Sequence, residues 1–197
     1  ILNPDTILKE DALDNFLTSA SKIKDFGLLG PYFQTGKETK LEKKFSPISV
    51  NSIKGFAMFF NLKKFNNIGF FDENFFLYFE DIDLCKRVIL SGNKIYLLPN
   101  VIINHDGAKS VNFKDHMELE VNRNWHWMWS SFYYSRKYRG FIKSLIFFLP
   151  KLLFSFFKFI ILKILSKNYK SKIYKYRFLG LLNSIKGNKS FYRPKIS

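Results

Sequence analysis

Between Gly69 and Arg87 the chain sets five carboxylates, Asp72, Glu73, Glu80, Asp81 and Asp83, among closely spaced Phe and Tyr side chains. A purely solvated acidic run would not carry so many rings. Carboxylates of this kind accept protons, bind hard cations, or simply cap a helix and complement its dipole. From Glu80 onward the pattern predicts a helix: acids in the first turn, apolar Leu84, Cys85, Val88 and Ile89 behind them, and Gly92 as the stop. Asp81 then sits at a helix N-terminus, where a negative charge is favoured, under an aromatic lip of Phe75, Phe76, Tyr78 and Phe79.

Taken whole, Gly69-Phe-Phe-Asp-Glu-Asn-Phe-Phe-Leu-Tyr-Phe-Glu-Asp-Ile-Asp-Leu-Cys-Lys-Arg87 resembles the signature G-F/G-F-D-E-x-F-F-x-Y-x-E-D-x-D-L-x-x-R of glycosyltransferase family 2, especially its rhamnosyltransferase-like members. The resemblance implies an α/β fold, the C-terminal part of a GT-A (Rossmann-like) domain. It implies inverting sugar transfer, with Asp81 as the base that deprotonates an acceptor hydroxyl. Glu80 would orient the acceptor. Asp83 would contact sugar or hold the local fold with Arg87. Gly55 would let the backbone approach the donor sugar or acceptor, although a lone strand Gly more commonly marks a bulge.

Two further points join this constellation. In Asn3-Pro-Asp5-Thr6 the proline enforces an extended-to-turn geometry and leaves Asp5 at a strand edge, where open α/β sheets bind ligands. The residues alone allow a plain turn before a helix. The resemblance makes this the position of the family's metal-binding D-x-D motif, with Asn3, a weaker ligand, in place of the first acid. Asp5 would hold Mg²⁺ or Mn²⁺ against a nucleotide-sugar diphosphate. His105 ends a predicted strand and opens His105-Asp-Gly-Ala-Lys-Ser110, similar to the family's H-x-x-G-x-S element. It is a candidate metal ligand by that likeness, or a hydrogen-bonded structural residue.

Periodicity supplies the elements that must position these groups. Leu13, Phe16, Leu17, Ala20 and Ile23 predict an amphipathic helix from Glu10 to about Lys24. Gly27–Phe33 reads as a short strand and residues 34–47 as a polar loop. The run Gly55–Phe60 fits a central strand, and Leu62–Ile68 a short helix. Lys94–Asn104 reads as a strand pair broken by its proline. Residues 112–140 resemble the segment that crosses the family's acceptor side. Their aromatic and Arg side chains suit sugar faces and a lipid pyrophosphate, or an interfacial Trp/Tyr belt. In residues 141–166, Lys143, Ser144, Lys151, Ser155 and Lys158 share one sector of a helical wheel, and the rest is mostly Phe, Leu and Ile. A span would carry lysines into hydrocarbon, so an amphipathic helix lying in the membrane interface is expected.

Charge divides the chain. Residues 1–120 carry 15 basic and 16 acidic side chains, whereas 121–197 carry 17 basic and none acidic. The expected organisation is a partial GT-A catalytic domain over 1–120 and a basic, helical, membrane-interface extension over 121–197. Its expected partners are a nucleotide-sugar donor, a glycan or lipid-linked acceptor and, through 141–197, an anionic membrane surface. Nucleic acid is not expected, because the basic section is dominated by a Phe/Leu/Ile helix. A non-catalytic RNA- or lipid-binding module and a degenerate transferase scaffold are the alternatives. The single Cys85 excludes an intramolecular disulfide. Ile1-Leu2 reads as the end of a buried strand. This predicts a fragment whose nucleotide-binding half precedes Ile1, and which alone turns over no donor.

Overall fold

The computed structural model describes residues 1–32, 46–105 and 116–193, with the backbone alone at 104 and 105. Two compact units emerge, one of residues 1–72 and 81–112, the other of 73–80 and 113–197. The division expected at residue 120 instead falls a few residues before the helix that contains it.

The first unit is an α/β layer structure. Its elements are β1 (Thr6–Leu8), α1 (Ala12–Lys22), β2 (Phe26–Tyr32), β3 (Ile48–Val50), β4 (Phe59–Phe60), α2 (Leu62–Ile68), α3 (Glu80–Leu90) and β5 (Lys94–His105). The strands form a mixed sheet of order β1-β5-β2-β4, with β3 also paired to β5. Among the described residues only β2 and β5 run parallel. Alternation along β2 divides the core: Leu29 packs with Ala12, Phe16 and Leu98, while Leu28 packs with Phe65, Leu84 and Val88. One face of the sheet is thus covered by α1 and the other by α2 and α3, the arrangement that a strand buried on both faces requires.

The helices expected around 10–24, 62–68 and 80–92 form, as does the strand near 27–33. Three strand expectations are corrected. Ile1 and Leu2 are exposed, and their contribution is a bridge from Leu2 to Ala57 with backbone bonds between Ile1 and Met58. The run 55–60 supplies only the two-residue β4, because backbone groups of Gly55, Phe56 and Met58 bond to Asp81, Asn3 and Ile1. Lys94–His105 is one continuous strand. Pro99 falls inside an irregularity where Pro31 pairs with Leu98 but the next residue, Tyr32, pairs with Ile102, so its missing N–H breaks no regular ladder. The expected loop lies mostly outside the described residues, as do 106–110 and 112–115.

The second unit is helical: α4 (His116–Arg139), α5 (Phe141–Ile164) and α6 (Asn168–Ile185). Met128, Phe132, Phe148 and Leu181 form its core. At Gly180 a Cβ would meet the Trp125 carbonyl oxygen, so glycine is what lets α6 approach α4 so closely. Helix α5 runs unbroken through Pro150. Segment 73–80 belongs here because Phe75 packs on Tyr133, Phe76 on His126, and Tyr78 and Phe79 on Trp127, while the Ser130 hydroxyl donates to the Leu77 carbonyl. The rings expected as a lip over Asp81 are therefore engaged with α4. Tyr78 and Phe79 take left-handed backbone conformations (φ 67° and 69°), which those ring contacts help to hold.

Candidate functional site

Asp81 opens the first turn of α3, and its carboxylate is fixed from two sides. Oδ2 accepts the Gly55 N–H at 3.1 Å and Oδ1 accepts the Ile82 N–H at 2.8 Å. Each oxygen keeps a further lone pair for another donor. A Cβ on residue 55 would lie 3.1 Å from the Asp81 Cβ, so glycine is what permits the backbone to come this close. The half-buried Asp81 lines a cleft of about 350 Å³ together with Lys54, Ser52, Tyr32 and Phe56. Lys54 places a cation there, at a position that no motif or spacing marked beforehand.

The N-terminal turn lies against the same strip of backbone. The Asn3 N–H donates to the Phe56 carbonyl at 2.8 Å, and the Thr6 hydroxyl reaches that carbonyl at 3.4 Å. Thr6 N–H closes the turn onto the Asn3 carbonyl, with half-buried Asp5 between them. Across the β1–β5 ladder, Thr6 is paired with His105. A string of contacts therefore links the His105 backbone to Thr6 by the ladder, Thr6 to Phe56 by its hydroxyl, and neighbouring Gly55 to the Asp81 carboxylate. The His105 side chain lies outside what is described.

Asp83 sits differently. Its carboxylate is 0% exposed and takes the Arg87 Nε–H at 2.9 Å. Arg87 also donates to the carbonyls of Ile68, Gly69 and Phe70, tying the chain ahead of the acidic stretch to α3. Of the two roles expected for Asp83, holding the local fold is the one its buried pairing with Arg87 performs. Glu80 is half-buried and falls in the helical unit. Buried Cys85 has its thiol pushed up to about 11, chiefly by burial, which leaves it protonated and unreactive at neutral pH.

The donor set bears on a metal. Asp5 and Asn3 offer hard oxygens, but among the described residues no group of three His, Cys, Asp or Glu side chains gathers to hold an ion. A single carboxylate fits a Mg²⁺-type ion that takes most of its remaining ligands from substrate phosphates and water.

Comparison with known proteins finds one distant relation. Over 126 aligned residues the chain is 27% identical to the rhamnosyltransferase WbbL of Escherichia coli (strain K12), covering 50% of this chain and 48% of that protein. The chain thus spans about half the length of the relative it matches. No family model and no solved structure matches it.

Proposed function

We propose that this chain is the acceptor-side, catalytic part of an inverting, metal-dependent glycosyltransferase that works at a membrane surface. It moves a sugar such as rhamnose from a nucleotide-sugar to a lipid-linked cell-surface glycan. The observation that carries the reading is the Asp81 carboxylate at the start of α3, held by the Gly55 N–H at the wall of a cleft. The family-like signature around it and the distant rhamnosyltransferase relation support the same reading.

In this mechanism the acceptor hydroxyl donates to a remaining lone pair of Asp81. The proton moves to that carboxylate as the acceptor oxygen attacks the anomeric carbon, and the nucleotide diphosphate departs from the opposite face. The two backbone N–H bonds keep the carboxylate from rotating away. Glu80 orients the acceptor, and Lys54 in the cleft meets anionic parts of the substrate. A divalent cation held by Asp5, with Asn3 and His105 beside it, would offset charge on the leaving diphosphate.

Helix α5 supports the membrane placement. It is long and apolar enough to cross a membrane. We place it in the interface on the cytoplasmic side, where nucleotide-sugars are found and where its lysines can snorkel into water.

The test uses the protein expressed from its whole reading frame. Asp81→Asn should lower kcat for sugar transfer by ~10²–10⁴ while the thermal midpoint stays put. Activity equal to the parent removes Asp81 as the base. Chelation with EDTA should abolish transfer, with recovery on adding Mg²⁺ or Mn²⁺ and a higher metal requirement in Asp5→Ala. Transfer that persists in EDTA refutes the metal.

A further inference from the structure

The helical unit contains a second cleft that the sugar-transfer chemistry leaves unused. It lies among α4, α5 and α6, with a volume of about 340 Å³. That size is in the range of small-molecule sites and far larger than a bare phosphate needs. Each helix contributes a cation to its lining: Arg139, Lys151 and Arg177. Tyr134, Tyr138 and Phe147 form part of the walls, and no carboxylate lines it. None of the three cations has an ion-pair partner among the described residues.

The cations lie over rings instead. Lys151 Nζ is 4.6 Å from the centroids of Phe147 and Phe148, and the Arg139 guanidinium 5.7 Å from that of Phe147. Three like charges brought together from three helices repel one another, and an anion between them would reverse that sign. Two are arginines, whose planar forks match phosphate oxygens. The cleft also borders an apolar surface. Phe147 is itself half exposed, and Ile146, Leu149, Leu153 and Phe154 are exposed along the same helix.

We infer that this cleft is a headgroup site for an anionic bilayer phospholipid. The phosphate sits among Arg139, Lys151 and Arg177, the tyrosines flank the glycerol, and the acyl chains follow the exposed side of α5. The site rests on the membrane placement proposed for α5 and not on Asp81 or its chemistry.

Flotation of the full chain with phosphatidylcholine vesicles, with and without phosphatidylglycerol, tests it. One variant carries Arg139→Gln, Lys151→Gln and Arg177→Gln. A control, Lys170→Gln, Lys175→Gln and Lys189→Gln, removes the same charge from exposed positions elsewhere in the unit. General attraction to a charged surface weakens both equally, since each lysine or arginine contributes about the same. A headgroup site predicts a loss at least ~10-fold greater for the cleft variant than for the control. If circular dichroism shows the cleft variant unfolded, Ser131→Phe decides the matter, because it fills the cavity and keeps every charge. It should abolish the preference for phosphatidylglycerol.

Equal weakening of the two triple variants overturns the site and leaves the membrane placement standing. For a cleft variant that does not fold, an unaltered Ser131→Phe does the same. Failure of the parent chain to float with either vesicle overturns both. Thermal stabilisation by soluble glycerol phosphate with the affinity seen for vesicles reassigns the cleft to a free phosphate ester and overturns the lipid.

Discussion

Gly55 and Asp81 show how much rests on one methyl group. Gly55→Ala would push its Cβ against the Asp81 Cβ and strain the N–H bond that orients the carboxylate. The expected outcome is a fall in kcat of roughly tenfold or more with KM for the donor little changed, since a small misplacement of a base is costly. Steady-state kinetics of the complete protein checks this, and an unchanged kcat would free Gly55 of a positioning role. His126 offers a prediction of another kind. Its Nε2 faces the Tyr192 carbonyl at 2.8 Å and must carry the proton, so Nδ1 accepts from Ser190. Burial, with Arg193 adding to it, lowers its pKa from 6.5 to about 4, against the opposing pull of the Tyr192 carbonyl. The unfolded chain therefore binds a proton that the folded one refuses between those values. Stability from this residue is complete above pH 6.5 and drains away as the pH falls toward about 4. Thermal melts of the parent should steepen in that window, and His126→Gln should flatten it.

At the scale of elements, the serines in the polar sector of α5 turn inward rather than to water. Ser144 and Ser155 are 0% and 2% exposed, and Ser144 shares a hydrogen bond with Ser135 at 2.8 Å. Outward lie Ile142 and Ile146, 72% and 69% exposed, with Phe154, Phe157 and Ile161. Small polar residues let helices approach closely and satisfy one another, which leaves the large apolar side chains facing the surroundings. Lys143 and Lys151 remain exposed, so the sector is split between packing and charge. The α4–α6 contact yields the sharpest element-scale prediction. In an isolated helix Gly→Ala gains about 1 kcal/mol. At Gly180 the added methyl would collide with the Trp125 carbonyl, and prying the helices apart should more than reverse that gain, a net loss of roughly 1–3 kcal/mol. Chemical denaturation followed by Trp fluorescence would show it, and a stabilised variant would contradict the close approach.

Across the whole molecule, charge and apolar exposure are concentrated in the same part of the chain. The section with 17 basic residues and no acid is the one whose α5 leaves its apolar side uncovered. Binding to vesicles containing phosphatidylglycerol should therefore have two components. Raising salt from low to physiological strength should weaken it steeply through screening of exposed charges. A residue of binding should survive high salt, because burial of Phe, Leu and Ile in lipid is not screened. Loss of all binding at high salt would leave α5 outside the bilayer.

The linear order of residues determined what local rules govern. The helix beginning at Glu80, the Asp83–Arg87 pair at i,i+4, the helix at 62–68 and the split in charge follow from spacing and composition that neighbours cannot undo. The family-like signature marked Asp81 for the same reason, being contiguous in the chain. Contacts between distant segments were decided only on folding. Nothing in the run 55–60 shows that its backbone groups turn to Asp81, Asn3 and Ile1 rather than to a ladder, and Pro99 reads as a break until Pro31 and Tyr32 set its register. The burial of Ser144 and Ser155 likewise needs α4 and α6 in place, because a helical wheel groups side chains by direction and cannot say which direction is inside.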